Sequence, residues 1–246
     1  MYTVVPADKA AILPNAIPFT HGVVVPLALE AAVCALSVKQ PGTALPNVPT
    51  PALGLPYPSL ADPAPSNKTL IVYGGSSSVG CMTTQLATAA GIRVIAIASA
   101  KNFDLCRTCG AVEVFDYHDP SFVDKVIETA AAPGHEFVGI FDAISTPDTY
   151  ATDLAILAKL GGGHLACVHP PPPAEDVPAS VKAGLIFAVD EVATPVWREY
   201  VTPALREGML KCLPLPRVVG KGLEYVQEAL KMCEAGVSAT KLVVEL

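Results

Sequence analysis

The residues best suited to chemistry lie in one short run, Gly74-Gly75-Ser76-Ser77-Ser78-Val79-Gly80, between an apolar β-branched stretch and a helix-length segment. Two phosphate-binding patterns compete for it. A P-loop needs a lysine immediately after its second glycine, and here Cys81 follows Gly80, so that pattern fails. The dinucleotide pattern GxGxxG aligns as Gly75-x-Ser77-x-x-Gly80, with Ser77 in place of the middle glycine. Serine there still leaves backbone N–H groups at a helix start, where the helix dipole favours a pyrophosphate. The hydroxyls of Ser76, Ser77 and Ser78 add donors. A plain tight turn explains the loop in isolation equally well; its strand–turn–helix–strand setting favours the dinucleotide reading.

The next strand distinguishes the cofactors. An NAD site carries Asp or Glu about twenty residues beyond the glycines, to grip the ribose 2′-hydroxyl. No acidic residue lies between Gly74 and Phe103, and the strand ends Ser99-Ala100-Lys101-Asn102. The Lys101 ammonium and the Ser99 hydroxyl suit a 2′-phosphate, so the pattern predicts NADPH. The competing reading has Lys101 merely open the next helix on its solvent face.

The elements that must hold these residues follow from periodicity. Strands are predicted over 69–73, 93–98, 112–115, 136–143 and 164–168. Helices are predicted from the serine turn to about Ala90, then over 101–109, 120–131 (with Pro120 at the first position) and 147–160. Nearly all-apolar strands are buried on both faces, which implies a parallel, doubly wound α/β sheet. Beyond it a strand is expected over 181–189, a helix over 194–207, an extended stretch over 211–219, a helix over 222–235 and a closing strand over 241–245. The dinucleotide-binding domain is placed at 67–210, flanked by 1–66 and 211–246. Eight prolines between positions 41 and 65 mark an extended connector, either a surface linker or a wall over the cleft. Pro170 to Pro173 stiffen the chain after a strand end, where open α/β sheets place ligands.

Bulk properties exclude other classes. A net charge of −7 argues against a nucleic-acid partner. The seven cysteines include one CxxC pair, Cys106 and Cys109, but no second pair completes a zinc set, so ordinary core thiols are expected. The N-terminus lacks the pattern of a signal peptide. The apolar stretch 22–38 is interrupted by Pro26 and Glu30 and reads as a buried helix, not a membrane span. A cytoplasmic location is expected.

The run from Ile71 to Val126 (IVYGGSSSVGCMTTQLATAAGIRVIAIASAKNFDLCRTCGAVEVFDYHDPSFVDKV) closely resembles the cofactor domain of the medium-chain dehydrogenase/reductase superfamily. Its zinc-independent fungal branch, with the trans-acting enoyl reductases, is the nearest match. Residues 2–8 resemble the strand leaving that family's catalytic domain, 27–36 its connecting helix, and 236–246 its terminal strand. The resemblance implies that Ser76 to Val79 hold the pyrophosphate. It places Ser99, Lys101 and Asn102 on the 2′-phosphate, Tyr117 on the adenosine and Val168 at the nicotinamide end. Most of the family's catalytic domain lacks a counterpart here, and with it the zinc ligands, so no metal is expected.

The implied activity is NADPH-dependent reduction of an enoyl or ketone group on a small, polyketide-like substrate of secondary metabolism. Two alternatives stand beside it: a redox-silent cyclase or isomerase reusing the cleft, and a non-catalytic NADPH-binding partner of a larger synthase. An apolar strand over 181–189 would also suit pairing with a second copy. For a proton donor, His164, His169 and Tyr117 are nearest by position, and Asp142 reads as a loop-capping group. No catalytic residue is assigned.

Overall fold

The computed structural model describes residues 4–37, 53–188 and 191–246. Six parallel strands form the central sheet in the order β3-β2-β1-β4-β5-β6. They are β1 (Lys68–Tyr73), β2 (Arg93–Ala98), β3 (Glu113–Asp116), β4 (Glu136–Asp142), β5 (Gly163–Cys167) and β6 (Val181–Leu185). Each strand but the last two is joined to the next by one crossover helix: α3 (Ser78–Ala89), α4 (Phe103–Thr108), α5 (Phe122–Ala130) and α6 (Pro147–Lys159). This is the doubly wound α/β fold, with its switch point between β1 and β4.

Alternation along the strands builds two cores. Leu70, Val72, Val94 and Phe141 face α2 (Val25–Ser37) and α3. Ile71, Tyr73, Ile95, Ile97 and Ile140 face the other way, onto α5 and α6. Helix α2 buries ten of its thirteen residues. The helical run Phe19–Ser37, which includes the single turn α1 (Phe19–Gly22), is apolar and long enough to cross a membrane, but 56% of it is buried, as a core helix requires. Glu30 is accommodated there because its carboxylate accepts the indole N–H of Trp197.

Several boundaries differ from expectation. Helix α5 begins at Phe122, not Pro120, because the Asp119 carboxylate accepts both the N–H and the hydroxyl of Ser121, at 2.9 and 2.8 Å, and holds the approach as a turn. The 101–109 helix opens as a 3-10 turn over Ala100–Asn102. The 194–207 helix is a π-helix over Val196–Val201 followed by α7 (Thr202–Arg206). Pro203 lacks an N–H and crowds the carbonyl of Glu199, which the wider π register relieves. Strand β6 stops at Leu185; position 189 lies outside the described residues. The predicted strand over 2–8 is absent from its described part: Ala7–Lys9 forms a 3-10 turn, with no neighbouring strand for it to pair with. Of the proline connector, positions 41–52 lie outside the described residues, and 53–65 contains neither helix nor strand.

The chain closes with β7 (Pro216–Lys221), α8 (Val226–Glu234) and β8 (Lys241–Glu245). The two strands pair in parallel as a separate small sheet, and neither they nor α8 contain a buried residue.

Candidate functional site

Strand register decides where the site lies. Tyr73 pairs with Ile97 and with Asp142, Ala98 with Asp116, and Asp142 with Cys167. The strands therefore end in one row, and the segments 74–77, 99–102, 117–118 and 143–146 emerge side by side at the carboxyl edge. Between them is a cavity of about 500 Å³, within the size range of ligand sites. Its lining includes Ser76, Ser77, Ser99, Lys101, Asn102 and Tyr117. Gly75, Ser78, Val79 and Val168 do not line it; Gly75 is buried beneath the loop.

The loop's shape follows from two glycines. Gly74 has φ +72°, which L side chains rarely adopt, and a Cβ there would lie 2.6 Å from Ile144. A Cβ on Gly80 would lie 2.2 Å from the Gly74 carbonyl oxygen, so only glycine lets α3 start this close to the loop. Ser77 caps the helix: its hydroxyl accepts the Gly80 N–H at 3.0 Å. The N–H groups of Gly75 and Ser77 bond to Ile97 and Gly74, while those of Ser76, Ser78 and Val79 have no backbone acceptor. Unused amides at the start of a twelve-residue helix favour an anion.

Two side chains, Asn102 and Lys241, join this loop to the C-terminal segment. The Asn102 amide donates to Ser76 Oγ at 3.1 Å and to Ser238 Oγ at 3.0 Å. The Lys241 ammonium reaches Ser78 Oγ at 3.4 Å. Burial holds the Lys241 pKa below its ordinary value. Among the described residues neither Lys241 nor Lys101 has a carboxylate partner. Val237, Ser238 and Ala239 complete the outer wall of the cleft, and Ile144, Thr146, Asp148 and Thr149 its opposite end. Only tertiary structure brings positions 237–241 here. The local clue was a lysine opening an apolar closing strand.

Tyr117 lines the cleft with its ring against that of His118, centroids 4.1 Å apart and planes tilted by 37°. Asp116 beside it accepts the backbone N–H and ring nitrogen of His118, bonds that pull its pKa below the usual value. Val168 caps the far end of β5, donating its N–H to Ser145 Oγ at 2.9 Å. His164 sits at the opposite, amino end of β5, where burial and Lys182 lower its pKa, so it cannot serve this cleft. His169 is exposed and outside the cavity lining.

The chain matches the family profile described as zinc-binding dehydrogenase over residues 78–187. It is 67% identical over 247 residues to dehydrogenase orsE of Emericella nidulans, covering all of this chain and 70% of that protein. The chain is a medium-chain dehydrogenase/reductase. The trans-enoyl reductase himH of Aspergillus japonicus is 36% identical, across all of this chain and 68% of its own length. Among solved structures, CurK enoyl reductase superposes with a TM-score of 0.66 at 16% identity, over 95% of this chain. A mycobacterial protein complexed with NADPH, Rv1454c, superposes at 0.67 and 21%, over 98% of this chain and 70% of its own. The present reductase-family chain spans about 70% of its curated relatives' length and 64% of the CurK chain. Despite the profile's description, no three His, Cys, Asp or Glu side chains gather to hold a metal among the described residues.

Proposed function

We propose that this chain binds NADPH in the cleft and serves reduction of an enoyl or ketone group on a small, polyketide-like substrate. The observation that carries this reading is Lys101. It lines the cleft just beyond the tip of β2 and makes no ion pair among the described residues, and no acidic residue intervenes from Gly74 to Phe103. Ser99 and Lys101 would hold the 2′-phosphate. The Ser76 amide would hold the diphosphate in the cleft, the Ser78 and Val79 amides and the Lys241 ammonium would act on it from behind the lining, and Tyr117 would cover the adenosine. Asn102 would act from behind, fixing Ser76 and Ser238 in place. Thr146, Asp148 and Thr149 offer polar groups at the end nearest Val168. The bound cofactor supplies a hydride; the chain's task is to orient it and shield it from water.

The reading is supported by relatives such as the himH trans-enoyl reductase and by the NADPH complex of the mycobacterial protein. A second reading, an NADPH-binding partner of a larger assembly, is favoured by one observation. Ile12, Phe19, Val23 and Leu27 form an exposed apolar strip beside α2, with Phe19 87% exposed.

Fluorescence titration tests the cofactor. NADPH should bind at least about tenfold more tightly than NADH, and Lys101→Ala should remove the difference without weakening NADH. Equal affinities in the wild type would sink the reading. NADPH oxidation with a panel of enoyl thioesters and enones then separates a reductase from a binding partner.

A further inference from the structure

Two carboxyl groups lie under the cleft wall and make no contact with its interior. Asp142 ends β4 and Asp153 lies on α6; both are fully buried. Asp142 is surrounded by donors. Its Oδ1 accepts the N–H groups of Ile144 and Ser145, at 2.8 and 2.9 Å, and its Oδ2 accepts the Thr149 hydroxyl at 2.6 Å. Two backbone amides and a hydroxyl thus converge on this one carboxyl. These bonds shape the loop that follows. Ile144 and Thr146 line the cleft, and Ser145, held at φ +57°, receives the Val168 N–H on its hydroxyl. The Asp142 side chain thus fixes the inner wall, and the Ser145 hydroxyl ties that wall to the end of β5.

Asp153 is in the opposite situation. Among the described residues neither of its oxygens has a hydrogen-bond partner at ordinary length, and the one ionisable group close enough to act on it strongly is the Asp142 carboxyl. The other ionisable groups that feel its charge are Tyr73 on β1 and Cys167 on β5, and Tyr150 on α6 faces Asp142. None is a cation, and no salt bridge among the described residues reaches either aspartate. Two buried like charges with nothing to neutralise them cannot both persist.

We propose that Asp142 and Asp153 carry one proton between them, resident on Asp153, and that this proton locks the loop Ala143–Thr146 as the inner wall of the cleft. Losing it places two anions in one dry space and weakens the hold of Asp142 on the Ile144 and Ser145 amides, while the Ala143 and Thr146 ends of the loop stay bonded to Tyr73 and Thr149. Asp142 is a positioning residue and Asp153 its switch. The inference deepens the cofactor reading, because the loop it controls lines the same cleft.

The sign of the pH effect follows from burial, which with the Asp142 charge raises the Asp153 pKa well above the ordinary value. The folded protein then binds a proton that the unfolded chain gives up above about pH 4, so stability falls as pH rises until Asp153 itself ionises. Asp153→Asn keeps a neutral donor and removes the dependence.

Hydrogen exchange on the full chain, from mildly acidic to mildly alkaline pH, tests this. Protection factors of the Ile144 and Ser145 amides should drop about tenfold or more in the wild type and stay level in Asp153→Asn. Infrared spectroscopy of the wild type at neutral pH should show a protonated carboxyl band, a readout that needs no variant to fold. Level protection in the wild type, an equal drop in the variant, or no such band would each overturn the proposal. Dinucleotide affinity should weaken over the same range in the wild type only. If the wild type bound neither NADPH nor NADH at any pH, the cofactor reading would fail alone, and exchange and infrared would still decide on the proton.

Discussion

The central sheet and the C-terminal β7–α8–β8 unit contribute to the same cleft but are built on different terms. Strands β1 and β2 are buried along almost their whole length between two helical layers. The β7–β8 sheet has no buried residue, and α8 leaves Leu223, Val226 and Leu230 around it exposed. The first region supplies its own stability; the second is held by a few polar bonds and is placed for what it touches. Stability and binding are therefore divided between them, and substitutions can separate the two.

The largest effect is expected in the sheet. Ile71 is fully buried, and Ile71→Ala should cost about 2–5 kcal/mol of unfolding free energy, measured by denaturant titration. A loss below about 1 kcal/mol would break the contrast. Lys241→Met comes next and should leave stability nearly unchanged. It should weaken NADPH and NADH alike by about tenfold, or about 1.4 kcal/mol, because both carry the diphosphate. A loss confined to NADPH would move Lys241 to the 2′-phosphate and redraw the cleft. The smallest change should come from Leu230→Ala on α8, where the side chain is 57% exposed, with stability within about 0.5 kcal/mol of wild type.

The same division governs what could be read from the chain alone. Strands β1 to β5 were legible because burial on both faces writes an apolar run into the sequence, and their order follows from βα repetition. The serine turn and Lys101 were legible because they are local to one strand–helix junction. Ser238 and Lys241 were not, since nothing in a polar turn 136 residues beyond Asn102 announces that it bonds back to it. Asp142 was read as a capping group, and its bonds to Ile144 and Ser145 agree, but nothing in the sequence sets Asp153 apart from the other polar residues of α6. Its meaning depends on a neighbour from another element. The π-helix was missed for a related reason: Pro203 signals a disturbance without saying which register absorbs it.

The amide of Asn102 has both hydrogens engaged, one on each lip of the cleft. Three stretches of chain are thereby pinned at a single rivet, and a nucleotide that tugs Ser76 also tugs the segment leading into the final strand. Loading the cleft and seating the C-terminus are mechanically one event, so the least buried part of this molecule is also the part that registers whether its ligand has arrived.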